Sequence, residues 1–279
     1  MTTCFFASDL HGRPDRYEKL LSALAGEKPD LLFLGGDLLP PGLGEQDFVS
    51  DYLAPACADL RAGLKDRYPR VFLILGNDDP RSEEPALEAG EKGGLWLYAH
   101  NRRLPCGEFA VYGYSCIPPS PFLLKDWERY DISRFVDVGC VPPAEGRRTV
   151  PVPAQVVEQG TIQEDLERLA GGEDLSRAIF LFHVPPYQTG LDRTGLEGRM
   201  VDHAPLDLHA GSIAVKRFIE ARQPFLTLHG HIHESARITG RWRERIGRTL
   251  CFQAAHDGPQ LALIEFSLQE PEAAVRVLR

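Results

Sequence analysis

"PFLTLHGHIHES", residues 224–235, is the stretch on which the reading of the fold turns. An apolar run rich in β-formers ends in His229, His231 and His233, three of the chain's nine histidines within five positions. An apolar run without alternation reads as a strand buried on both faces, as in a helix-covered α/β sheet. In open α/β sheets, ligands bind outside the carboxyl ends of the strands. The residues just past the other apolar runs therefore decide whether the histidines have partners.

Each earlier run does end in a polar group. "TCFFAS" (3–8) is followed by Asp9 and His11, "DLLFLG" (30–35) by Asp37, and "RVFLILG" (70–76) by Asn77, Asp78 and Asp79. "AIFLFH" (178–183) ends in His183. Between these runs, "RPDRYEKLLSALAG" (13–26) has helical apolar spacing, with Gly26 as the expected C-terminal cap, and a second helix is expected over about 47–66. Strand–helix alternation predicts a mainly parallel α/β sheet.

Short strands with turns are expected over 95–115. Residues 116–176 are Pro-rich and read as an insertion or cap, with a helix over 161–171. A helix over 211–222 starts near Ser212, a candidate cap. Closely spaced strands at 224–229, 249–255 and 260–268, with a last run from 273, predict a more antiparallel second half. The whole, 1–279, reads as one domain.

Asp-x-His and His-x-His share a spacing of two, and in extended backbone such residues point the same way, so both members of a pair would reach one centre. Asp9, His11, Asp37, Asn77, His183, His231 and His233 together supply two carboxylates, four imidazoles and one amide oxygen. One ion does not need seven protein ligands, whereas two ions sharing a carboxylate would receive four each. Mixed nitrogen and oxygen donors without thiolate suit Mn, Fe, Zn, Co or Ni.

The motif order "DLH", "GDLL", "GNDD", "H", "GHIH" resembles that of calcineurin-like metallophosphoesterases, and more closely a bacterial and archaeal branch of them. The resemblance implies a two-sheet sandwich flanked by helices, in four αββα layers, and two divalent or trivalent metal ions, with Mn2+ the leading choice. It implies one ion on Asp9, His11, Asp37 and His233, and a second on Asp37, Asn77, His183 and His231. It also implies attack on phosphorus by a hydroxide shared between the ions. His229 falls outside the motif and reads as a buried histidine bonded to backbone.

The sequence departs from the family pattern at Asp78, where an imidazole ordinarily serves near the leaving group, while Asp79 keeps the neighbouring acid. An imidazole can protonate an alkoxide near neutral pH, whereas an ordinary carboxyl is ionised there. Diesters, or esters with good leaving groups, are therefore expected over monoesters. Asn77, Asp78 and Asp79 are the candidate catalytic turn. Arg193 and Tyr187 are candidate substrate contacts, with Arg102, Arg103, Arg199, His203, His209 and His256 behind them. Phe122, Trp127 and Tyr130 are candidates to cap the pocket, against core packing.

The net charge of −9 gives no support for a nucleic-acid groove, and no apolar run approaches a bilayer span of roughly 18 residues. Six scattered cysteines without a C-x-x-C pair and the absence of a leader pattern point to a cytoplasmic protein. The expected partner is a small phosphorylated substrate. The rival classes are a noncatalytic metal-binding scaffold on the same fold, motivated by Asp78, and a nuclease.

Overall fold

The structure is a computed structural model that describes residues 1–41 and 47–279. Its strands, in chain order, are β1 (Thr3–Ala7), β2 (Leu31–Gly35), β3 (Arg70–Ile74), β4 (Leu97–Tyr98), β5 (Arg102–Cys106), β6 (Phe109–Tyr114) and β7 (Ala178–Phe182). The short pair β8 (Met200–Val201) and β9 (Ala204–Pro205) follows, then β10 (Leu226–His229), β11 (Arg243–Ile246), β12 (Thr249–Gln253), β13 (Ala262–Ser267) and β14 (Val275–Leu278). Apart from the β8–β9 pair, they form two six-stranded mixed sheets, ordered β14-β13-β1-β2-β3-β4 and β11-β12-β10-β7-β6-β5.

The alternating direction of side chains along β1–β3 decides which face each one serves. Phe6, Phe33 and Phe72 point between the sheets, with Phe33 and Phe72 stacked at 5.6 Å, beside Ile179, Leu181 and Phe252 of the second sheet. Leu32 and Leu34 face outward onto Leu20 and Leu24 of α1 (Pro14–Glu27) and Leu60 of α2 (Ala54–Leu64). On the other side, Phe180 meets Phe218 of a flanking helix at 5.0 Å. The helices numbered between are α3 (Glu84–Lys92), α4 (Ala154–Gln159), α5 (Ile162–Ala170) and α6 (Ile213–Arg222), followed by α7 (Ser235–Thr239). The result is a helix-flanked two-sheet α/β sandwich.

Three local expectations change. Gly26 lies inside α1, and Lys28 takes the left-handed conformation (φ 51°) with its N–H on Leu24 O. The expected helix over 47–66 is divided into a π-helical turn at Val49–Leu53, α2, and a 3-10 turn at Lys65–Arg67. The second half is less antiparallel than its strand spacing suggests: β10 runs parallel to both β7 and β12, and antiparallel pairs lie toward the sheet edges. The chain crosses between sheets after β4, which pairs with β3, whereas β6 pairs with β7.

Ser212 does cap α6, its Oγ accepting the Val215 N–H at 3.0 Å, and Thr161 caps α5 in the same way. Within residues 115–176, α5 packs beside α6 against the second sheet, and isolated bridges join Ile117 to Glu128 and Leu124 to Arg147. Trp127 and Ile162 from this stretch are fully buried in the outer core.

Candidate metal centre

Asp9, His11, Asp37 and His233 bring ligand atoms within 4.8 Å of one another, and Asp37, His183 and His231 form a second such group. Asp37 belongs to both. His11 Nε2 and His233 Nε2 face each other at 3.1 Å, and His233 Nε2 is also 3.1 Å from Asp9 Oδ1, across 224 residues of chain. His183 Nε2 lies 3.3 Å from Asp37 Oδ2 and 3.0 Å from Asn77 Oδ1.

The backbone achieves this through turns, not extended strand. Asp9, His11, Asp37 and His231 all have positive φ, between 49° and 74°. Left-handed backbone is unusual for non-glycine residues and collects at functional sites. Asp9 and His11 join one group, while His231 and His233 join different groups, as the resemblance implies. Backbone must also pass close by: a Cβ on Gly76 would stand 2.3 Å from Asp37 Oδ1, and one on Gly230 would stand 2.6 Å from Asp9 Oδ2.

Charge is concentrated in this cluster. Asp9 is fully buried and Asp37 is 2% exposed. Burial works to raise both carboxyls, but His233 on Asp9 and His183 on Asp37 hold them below the ordinary range. Burial likewise opposes the His183 charge, and Asp37 outweighs it, raising the ring to about 10. His231 is pushed down to about 3 by burial and by His183. His183 Nδ1 is bonded to Gly35 O at 2.8 Å, which turns Nε2 toward the cluster.

This donor set fits divalent ions. Buried carboxylates and facing imidazole nitrogens need a cation between them, the glycines leave room for one, and the six cysteines stand apart from the cluster.

The adjacent acids diverge. Asp79 is fully buried behind the site, its oxygens accepting N–H groups from Leu38 (3.1 Å), Leu39 (2.8 Å) and Gly76 (2.8 Å). It ties the turn after β2 to the turn after β3. Burial and the Asp37 charge push its carboxyl up to about 8, against those three donors. Asp78 sits at the mouth, 34% exposed, with Oδ2 3.7 Å from His11 Nδ1. Its Oδ1 accepts from Asn77 Nδ2 at 2.8 Å, which leaves Asn77 Oδ1 toward His183. Burial and Asp37 raise the Asp78 carboxyl.

Arg193 pairs with Glu197, and Tyr187 donates to Asp207 at 2.6 Å; neither bonds to the cluster among the described residues. Arg102 pairs with Glu91, Arg103 with Tyr112, and His209 Nδ1 meets Asp192 at 2.8 Å. His256 faces Gln260 at 3.3 Å, while Arg199 and His203 are exposed. Trp127 and Tyr130 pack in the core, and Phe122 is 54% exposed. His229 is fully buried, bonded to Val184 O (2.9 Å) and Thr227 Oγ1 (2.8 Å).

Three supports carried little signal in the sequence. Ser8 Oγ donates to Asp9 Oδ2, Arg16 Nη1 donates to Asp9 O, and Trp127 Nε1 donates to Asp79 O at 2.8 Å. Only Ser8 is adjacent in sequence to the residue it serves.

Residues 3–235 match the family described as calcineurin-like phosphoesterase, and the chain belongs to that family. Its members bind two divalent metals, and the Asp/His cluster is one that would hold them. Solved structures similar in fold include TT1561 of Thermus thermophilus, at 18% identity and a TM-score of 0.60, covering 99% of this chain and 98% of that one. A dimetal phosphatase from Danio rerio matches at 13% identity and a TM-score of 0.54, covering 94% and 91%. A search of curated proteins finds no match. No helix among the described residues is long and apolar enough to cross a membrane.

Proposed function

We propose that this chain is a dinuclear metal-dependent phosphoester hydrolase that favours diesters over monoesters. The observation that carries this reading is the pair of donor groups sharing Asp37. Asp9, His11, Asp37 and His233 would hold one ion, and Asp37, Asn77, His183 and His231 the other. When bound, the ions would polarise the phosphoryl oxygen and activate the attacking water. Mn2+ suits the nitrogen and oxygen donors, with Fe, Zn, Co and Ni as alternatives.

The chain's own residues set the rest. His183 is pinned by Gly35 O, so its ligating nitrogen needs no reorientation. Asp79 locks the two turns that carry Asp37 and Asn77 and acts as a positioning residue. Asp78 orients the Asn77 amide and places a carboxylate at the mouth. A monoester dianion meets that carboxylate at a larger Coulomb cost than a diester monoanion does. Arg193 and Tyr187 would reach a phosphate only after releasing Glu197 and Asp207. The insertion at 116–176 would set substrate choice within a single 1–279 domain, and six unpaired cysteines support a reducing, cytoplasmic setting.

The test is hydrolysis of bis(p-nitrophenyl) phosphate and p-nitrophenyl phosphate by protein stripped and reloaded with Mn2+, with Asn77→Ala as control. The reading expects metal-dependent turnover, faster on the diester and lost in the variant. Two bound ions with turnover of neither ester would overturn it.

A further inference from the structure

A polar cavity lies between the turns after β3 and β4 and the insertion. Its volume is about 40 Å3, and Arg81, His100, Asp126, Glu128, Arg129 and Arg148 contribute to its wall. A space of this size holds on the order of three waters, or the head of one small oxyanion. It is separated from the Asn77–Asp79 turn by Trp127, whose indole donates to Asp79 O at 2.8 Å and meets the His100 ring at 4.7 Å.

The acids in this wall are already committed. Asp126 accepts from Arg81 N (2.8 Å), Thr149 N (2.9 Å) and Thr149 Oγ1 (2.5 Å). Glu128 accepts from Ser120 N (2.9 Å), Ser120 Oγ (2.5 Å) and Lys125 Nζ (2.5 Å). The donors are not committed to the same degree. His100 is 9% exposed, and its Nδ1 accepts the Ser115 N–H at 3.1 Å. The neutral ring therefore carries its proton on Nε2. The only hydrogen bond of this ring among the described residues is the one at Nδ1.

The Arg148 guanidinium, half-buried, likewise makes no hydrogen bond or ion pair among the described residues. Arg129 spends Nη1 on Val156 O (2.9 Å) and Nε near Asp165 (3.4 Å), which leaves Nη2. Unspent N–H donors around saturated carboxylates leave a cage whose open positions call for an acceptor.

We propose that this cavity is a binding site for a small oxyanion, a carboxylate or phosphate group, held by Arg148 and Arg129 with the His100 Nε2–H as third donor. Guanidinium forks match such oxygens two at a time. The site is distinct from the metal centre and does not depend on its chemistry. Trp127 ties it to the turn that carries Asn77, and Arg81 lies over the same indole at 5.1 Å.

The experiment is calorimetric titration of the metal-loaded protein with acetate and, separately, with inorganic phosphate, for the wild type, Arg148→Met and Arg148→Lys. Binding is expected to weaken at least about tenfold for one or both anions in Arg148→Met, and less in Arg148→Lys. Phosphate bound at the metal centre persists in both variants, so only the component lost with Arg148 reports this cavity. Acetate that also competes with the ester substrate would assign the cavity to a distal acid group of that substrate. Binding without competition would assign it to a free anion. Isotherms identical to wild type for both anions in an Arg148→Met protein of unchanged melting temperature would overturn the proposal. Because the readout is binding, a failed hydrolysis assay leaves this result independent.

Discussion

Under the insertion, Lys125 and Glu128 are fully buried and bonded at 2.5 Å, and Ser120 supplies two further donors to the acid. Next to them, Asp126 collects three donors from Arg81 and Thr149. At the rim, Asp9 and Asp37 are as deeply buried, yet they face imidazoles, and two of those imidazoles point nitrogen to nitrogen at 3.1 Å. One region saturates its own carboxylates with donors of the chain. The other arranges them around space for a cation. Burying charge is costly in both, so the difference separates acids already satisfied by the chain from acids left for a cation.

Breaking the closed network is expected to have the largest effect. Lys125→Met leaves Glu128 buried without its counter-charge, and urea denaturation should show a loss of about 3–5 kcal/mol. The double variant Lys125→Met/Glu128→Leu should recover most of it. If the single variant loses no more than a surface substitution does, the network is not what holds the insertion down.

At the rim, Asp37→Ala removes the residue common to both groups. Turnover should fall by more than the roughly 10–100-fold typical of residues behind a ligand, with bound metal falling in elemental analysis. Its denaturation midpoint should move less than that of Lys125→Met, because a crowded buried carboxylate has gone. An equal or greater loss of stability would erase the contrast between the regions.

His100 tests the border between them. Burial first, then the charges of Arg81 and Arg129, lowers its ring to about 3. A base whose folded-state pKa lies below its unfolded one contributes stability above the unfolded value, and that contribution drains as pH falls toward the folded one. Between about pH 7.5 and pH 5 the wild type should lose roughly 2 kcal/mol more than His100→Gln in paired denaturant titrations. Parallel titration of the two proteins would show that the ring is protonated in the folded state.

Asp78→Asn should give the smallest change. Removing one charge at the mouth should lower the diester-to-monoester rate ratio by about fivefold, the worth of roughly 1 kcal/mol of Coulomb repulsion. An unchanged ratio would restrict Asp78 to orienting the Asn77 amide.

The legible part of this protein is the part encoded locally. Apolar runs marked β1, β2, β3, β7 and β10, and the first polar residues beyond them include the members of both donor groups. Ser212 marks a helix start because a cap acts within three residues. The division of labour among three close histidines also followed from position: His229, still on its strand, is bonded in the core, whereas the two beyond it reach the rim. Gly26 misled because its neighbour Lys28 accepts the left-handed turn instead.

The remainder needed long-range register. Nothing local says that β10 pairs in parallel with both neighbours, that the chain changes sheets after β4, or that Asp79 turns away to fasten two loops while Asp78 faces the mouth. Nor does the Pro-rich stretch 116–176 announce that its acids are saturated and its arginines are not. Periodicity and end residues report what each segment does with its own backbone, so the sequence alone determined the strands, their buried faces and the chemistry at their ends. Which donor meets which acceptor depends on residues as far apart as Asp9 and His233. Only the packing of two sheets and a covering insertion brings them within bonding distance, and only there is it decided which buried charges are satisfied and which are left to bind.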